Sequence, residues 1–437
     1  MKKILLVVTA LLFISVSVKA QQSEDFQLLL KNFVTEYQDL DIPPLNLSYV
    51  DNLYAVQSES SLLEQKDFFK NYLNGLHAIN PLKLSKDEKL DYHHLRYEIS
   101  INWERLNLEL IFRTVFEDEE ISEEGLINVP LGQYWYLYFL KKWLSVETSA
   151  EELMEFGILE IEDTQLDIQN IQKELGFESD STGFYNMLNG KQFFMKDKAE
   201  ILKVFQQKKD TVNNYFQHIF FDYTIPELAI ELRPSDGMGD VPGYYSPEDQ
   251  TFYFNLFERK YNIREFDWLY LHEGVPGHHF RTNFESAKEN KSDFRSLFNY
   301  PAYVEGWAAY CEEIGKEIGL YQNTYDYLGK LEWDLIRSVR VVLDIGINYY
   351  GWTDEEALEY WKENIINQDD KAIREINRMK RWPAQVLTYK VGAAKILELK
   401  EKMQEQQGEN FNIKDFHDKI LKAGPVPLHL LEKYILE

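Results

Sequence analysis

From Gln21 to about Tyr223, apolar side chains recur at three- and four-residue spacing, as in "EDFQLLLKNFVTEYQDL" and "HHLRYEISINWERLNLELI". That period marks one face of an α-helix and predicts a long helical region. The pattern changes once. After the Pro- and Gly-rich "RPSDGMGDVPG" (233–243), "YYSPEDQTFYFN" sets two short aromatic runs around a polar turn. This predicts a β-hairpin with its second strand over Thr251 to Asn255. Helical spacing returns from about Glu265 and holds to the C-terminus. The expected fold class is mainly α, with a small β element just before a histidine-rich segment.

The first twenty residues break the amphipathic pattern. Lys2 and Lys3 precede an apolar run from Ile4 to Val18, and Val18-Lys19-Ala20 is a small-residue cleavage site. The segment reads as a secretory signal peptide over 1–20, and its apolar run is short for a membrane span. No cysteine follows it to carry a lipid anchor. The mature chain is thus expected to be exported, periplasmic or extracellular, with no membrane anchor once the signal is removed. Loss of Lys2, Lys3 and Lys19 takes the net charge from -26 to -29. Such acidity argues against nucleic acid and anionic membranes as partners. Cys311 is the only cysteine, so no internal disulfide forms. A buried, inert thiol is the expectation there, and thiol catalysis is set aside.

The chemistry concentrates in "LHEGVPGHHF" (271–280), which holds three of the nine histidines and one glutamate. "REFDWLYLHEG" fits a helix with Phe266, Leu269 and Tyr270 turned inward, and it delivers His272 and Glu273 near its end. The usual zinc-hydrolase pattern is His-Glu-x-x-His, but position 276 is Pro and the next histidines are His278 and His279. On an unbroken helix, i+6 points roughly 600° round and i+7 lies about 10.5 Å along the axis. Pro276 cannot donate to the carbonyl of His272, and Gly277 admits unusual dihedrals, so a break is expected there. That break would return one of the two histidines to the place i+4 normally fills. Catalytic zinc takes three protein ligands and an open position. The third is expected from "YPAYVEGWAAYCEEIG" (300–315), where Glu305 sits among small and apolar residues; Glu312, two turns on, is expected to be solvated. Glu273, turned about 100° from His272, is the natural general base.

Four blocks, "HEGVPGHHF", "YVEGWAAYCE", "LGKLEWDLIRSVRVVLDIGINYYGWTDEEALEYW" and "RWPAQVLTYKVGAAKILELK", occur in the order found in the bacterial domain-of-unknown-function family 885. The chain resembles this family well over 233–437 and only diffusely before. The resemblance implies a zinc metallopeptidase of the glutamate-zincin type, a large helical fold with a central cleft. It divides the mature chain into an N-terminal helical region (21–232) and a catalytic region (233–437). It implies one zinc per chain, with His272, His278 and Glu305 as ligands and His278 preferred to His279. The preceding strand would place Tyr253 on an edge that binds peptide by backbone pairing. Two positions depart from the family. Asn348 stands where it often has His, and Ala384 where it often has Gly. Asn348 would donate a neutral hydrogen bond to substrate but no charge.

Tyr389, in "LTYKVG", would offer its phenol to a developing oxyanion. Arg340 and Asp344 at i,i+4 predict an ion pair; an unpaired Arg340 would instead bind a substrate carboxylate. The leading expectation is an exported zinc peptidase acting on short peptides. The alternatives are metal-dependent hydrolysis of another amide or ester, and a non-catalytic peptide-binding protein on the same fold. Asn348 favours the last and Glu273 an enzyme.

Overall fold

The computed structural model describes residues 2–116, 119–233, 241–256, 260–288, 292–366 and 368–436, without the side chains of residues 2–19 and 370. The predicted linker at 233–243 therefore lies mostly outside the described residues. The first half is helical: α1 (Lys2–Asp39), α2 (Tyr49–Tyr54), α3 (Glu59–His77), α4 (Lys86–Val115), α5 (Gly132–Leu144), α6 (Ala150–Glu174), α7 (Ser181–Leu188) and α8 (Lys198–Ile219). The expected leader falls on the start of α1. No helix among the described residues is long and apolar enough to cross a membrane.

Five short strands form, β1 (Phe194–Met195) between α7 and α8 and four around the change of period: β2 (Ala229–Leu232), β3 (Gly243–Ser246), β4 (Thr251–Phe254) and β5 (Tyr261–Asn262). The hairpin forms as predicted, β3 pairing antiparallel with β4 from Gly243↔Phe254 to Ser246↔Thr251. The expectation that Tyr253 lies on an edge strand is corrected. β2 pairs in parallel with β4, so the order is β2-β4-β3 and both sides of β4 are hydrogen-bonded. β1 and β5 form a separate antiparallel pair.

Helices then resume: α9 (Phe266–Glu273), α10 (His278–Ser286), α11 (Pro301–Glu313), α12 (Thr324–Ile345), α13 (Asp354–Asn364), α14 (Asp369–Arg381), α15 (Leu387–Gln407), α16 (Ile413–Ala423) and α17 (Leu428–Leu436). The class is mainly α. Reciprocal capping boxes start α4 (Ser85 with Glu88), α6 (Ser149 with Glu152) and α13 (Thr353 with Glu356), satisfying donors that helix starts leave open.

Two packing features set the position of the histidines. Phe205 of α8 lies within ring-contact distance of Phe252 and Phe254 on β4 and of Phe266 at the start of α9. The β element thereby fixes where α9 begins. Every residue of α9 is buried, so it is a core helix and not the one-sided helix its pattern suggested. Second, α11 and α15 cross at Gly306 and Gly392. A Cβ on Gly306 would come within 2.5 Å of the Gly392 backbone, so any side chain would push the helices apart. That crossing sets Glu305 and Tyr389 on neighbouring walls.

Candidate metal centre

α9 ends at Glu273, and the chain re-enters a helix at His278. Between them lie Gly274, the cis Val275–Pro276 bond and Gly277. The predicted break is therefore real, and its tightness explains Gly277: a Cβ there would sit 2.0 Å from the carbonyl oxygen of His272. The indole of Trp307 donates to the Pro276 carbonyl at 2.9 Å, tying the break to α11.

The break brings His278 back beside His272, with ring centroids 4.8 Å apart and planes nearly perpendicular. Glu305 reaches both: its Oε2 is 3.6 Å from Nε2 of His272 and 3.3 Å from Nε2 of His278. One donor atom from each of the three residues lies within 4.8 Å of the others. Tetrahedral zinc with bonds of about 2.0–2.1 Å spaces its ligands about 3.3–3.4 Å apart. The two measured separations bracket that value closely, and the set of two imidazoles and a carboxylate suits zinc, so these residues fit the ion.

His279 turns away. Its Nε2 faces the Pro226 carbonyl at 3.1 Å and Nδ1 faces Asn283, so both ring nitrogens are engaged elsewhere. Glu273 is buried beside His272, and no hydrogen bond or ion pair reaches its carboxylate among the described residues. The ring of Tyr389 stacks on His272 at 6.1 Å, close to the triad.

The expectation of a solvated Glu312 is overturned. It is 1% exposed and accepts from Nδ1 of His272 at 2.7 Å. An ionised carboxylate only accepts, so Nδ1 carries the hydrogen and Nε2 faces Glu305. Arg337 grips the same carboxylate with two bonds of 2.6 and 2.8 Å. Glu312 and Arg337 are thus the supporting residues that the sequence reading missed; the i,i+7 relation of Glu305 and Glu312 was the available signal.

These contacts govern the charges. Burial opposes a charged His272, but bonds to Glu305 and Glu312 outweigh it and raise its pKa to about 9. Burial likewise opposes ionisation of Glu305, and the two histidines overcome it, holding the carboxyl well below its usual range. Glu312 is pulled down against burial by Arg337 and His272. Tyr389 is raised by burial and by the charge of Glu305, so its phenol keeps its proton at neutral pH.

Among the described residues, no hydrogen bond or ion pair links three other candidates to the triad. Tyr253 points off the outer face of β4, donating to Asp249 and stacking on Tyr244. The expected Arg340–Asp344 ion pair does not form. α14 presents Glu375 to both ends of the Arg340 guanidinium at 2.8 and 2.9 Å, while Asp344 takes the Tyr136 hydroxyl and the Ala384 amide. Asn348 is fully buried and donates to the carbonyls of Asp344 and Met379. A cavity of about 890 Å³, lined by Glu313, Asp334, Arg337 and Lys390 among others, includes no triad residue.

Comparison with known proteins gives family and fold. A lipoprotein, provisionally so named, from Colwellia psychrerythraea has a similar structure, with a TM-score of 0.67, 24% identity, and coverage of 88% of this chain and 71% of that one. A second, from Shewanella oneidensis and described as of unknown function, gives a TM-score of 0.69 at 18% identity, covering 94% of this chain and 100% of that one. At these identities the likeness speaks to fold alone. No curated protein matches the chain. The family described as bacterial protein of unknown function, DUF885, matches residues 111–435, reaching well into the half that the sequence matched only diffusely. With the match covering most of its length, the chain belongs to the DUF885 family.

Proposed function

We propose that this chain is an exported zinc-dependent hydrolase of the glutamate-zincin type, acting on peptides and holding one zinc per chain. The observation that carries the reading is the convergence of His272, His278 and Glu305, the carboxylate lying 3.6 and 3.3 Å from the two ring nitrogens, with Glu273 next in sequence to the first of them. A binding protein has no need of a carboxylate at that place. The signal-like start supports export, as does the provisional naming of both structural relatives as lipoproteins.

When bound in a three-ligand site, zinc supplies Lewis acidity and an acidified water. The protein's own groups do the rest. Glu312 fixes the tautomer and orientation of His272. Glu273 takes the proton of the attacking water and delivers it to the departing amine. Tyr389, protonated at neutral pH, donates a hydrogen bond to the oxyanion that develops on the attacked carbonyl.

The test is metal content of the purified protein beside its His272→Ala and Glu273→Gln variants, with peptide-library cleavage on all three. About one zinc is expected in wild type and in Glu273→Gln, and none in His272→Ala. Cleavage is expected in wild type alone. A protein that takes up no zinc even when it is supplied refutes the site. Zinc without peptide cleavage redirects the reading to another amide or ester.

A further inference from the structure

Three arginines cluster around Tyr389, and two of them are fully committed. Arg337 is held at both ends by Glu312, and Arg340 at both ends by Glu375. Arg378 of α14 is different. Its Nη2 donates to the neutral amide oxygen of Gln385 at 2.8 Å, and Tyr389 lies beside it. Its Nε is buried and meets no acceptor among the described residues. It forms no ion pair with a described carboxylate.

The carboxylates near it are engaged elsewhere: Glu305 lies against the two histidines, and Glu375 is held at both oxygens by Arg340. Glu375 is the carboxylate on which Arg340, Arg374 and Arg378 all act. This wall therefore meets Arg378 with a carboxylate whose two oxygens Arg340 already holds. It also adjoins the metal centre. Arg378 feels the charge of Glu305, and its neighbour Tyr389 stacks on His272. A buried guanidinium donor without an acceptor is costly, and a planar anion that takes two parallel N–H bonds relieves that cost.

We propose that Arg378 binds the free C-terminal carboxylate of the substrate, which makes short peptides cleaved near their C-terminus the substrate class of this site. The assignment rests on the hydrolase reading above. Arg378 is a specificity residue: it holds the end of the peptide while Glu273 and Tyr389 act on the bond beside the triad. A carboxylate suits the place because a peptide offers it within a residue or two of a scissile carbonyl.

The experiment measures binding and cleavage separately on the zinc-loaded full chain. The probes are a tripeptide mixture with free C-termini and the same mixture amidated, read by isothermal titration and by mass spectrometry of products. Wild type is expected to favour the free acids by about 10- to 100-fold, the range for a charge-assisted pair. Arg378→Gln is expected to erase that preference while leaving zinc content and amide binding unchanged, and Arg378→Lys to keep part of it. In cleavage the loss falls on KM more than kcat. Equal binding of acids and amides by wild type, no binding of either, or a preference that survives Arg378→Gln overturns the assignment. Absence of cleavage with the binding preference intact overturns the hydrolase reading and leaves Arg378 as a carboxylate site.

Discussion

Replacing Glu312 with Gln tests whether the histidine site is built as a unit or merely contains suitable atoms. The carboxylate is 1% exposed and satisfies three donors: Nδ1 of His272 at 2.7 Å and the two Arg337 nitrogens at 2.6 and 2.8 Å. Glutamine keeps the shape but removes the charge. Its single oxygen can serve His272 or one Arg337 nitrogen well, and its amide hydrogens face a guanidinium that cannot accept them. Breaking a buried ion pair by removing one partner costs about 3–5 kcal/mol. The hydrogen bond that glutamine retains returns roughly 1.5 kcal/mol, so the metal-free protein should lose about 1.5–3.5 kcal/mol.

Zinc affinity gives the more diagnostic number. Loss of the group that orients a metal-bound histidine typically costs 10- to 100-fold in affinity. A second effect opposes it at neutral pH. Without Glu312, His272 gives up its proton more readily, which lowers the competition that zinc must overcome. The fall measured at pH 7 should therefore lie near the lower figure, about tenfold, or about 1.4 kcal/mol. Competitive titration against a chelator reads the affinity, and urea unfolding of metal-free protein reads the stability. A stability loss of the stated size with unchanged zinc affinity would refute the reasoning, because Glu312 would then serve Arg337 alone.

Three further outcomes follow. The folded pKa of His272 is raised to about 9, so at pH 7 the metal-free ring is protonated and zinc must displace that proton. Apparent zinc affinity should climb about tenfold per pH unit between roughly pH 7 and 9 and then flatten; calorimetry in buffers of different ionisation enthalpy should report about one proton released at pH 7. In the metal-free protein, the stability that His272 contributes is fully present below its unfolded pKa of about 6.5 and is lost as pH rises through about 9, checked by urea midpoints across that range. Ala384 adopts φ 66, the left-handed region, while its amide holds both oxygens of Asp344. An L-residue there costs about 1–2 kcal/mol, partly offset by the greater unfolded freedom of glycine, so Ala384→Gly should stabilise by about 0.5–1 kcal/mol; an unchanged or lower midpoint would show that the strain is absent.

The break at Pro276-Gly277 was legible in the sequence because it follows from the chemistry of two residues: proline without a donor, and glycine where a Cβ would lie 2.0 Å from a carbonyl oxygen. The hairpin was legible for a similar reason, since its strands and turn lie in one short segment. What failed was pairing between segments. β2 is four residues long with no strong signal of its own, yet its arrival in parallel removed the free edge assigned to Tyr253. Arg340 had a partner at i,i+4 by helix geometry, but α14 offered Glu375 with both oxygens aligned, and a bidentate partner wins over a local one. Glu312 lay on the face of Glu305 by helical arithmetic; whether it would meet the far nitrogen of His272 depended on how α9 crosses α11, which neither segment encodes. Arg378 had no local signal, because its character arises from what its neighbours have already bonded. The candidate triad escaped this limit in part for a chemical reason, since a carboxylate on an apolar helix is expensive unless it meets a partner; the preference for His278 over His279 came from the family resemblance. Sequence alone could infer that meeting from cost, whereas the shell that orients the ligands is held by charges with several acceptable partners, and only the packing of α9, α11, α12 and α14 chooses among them.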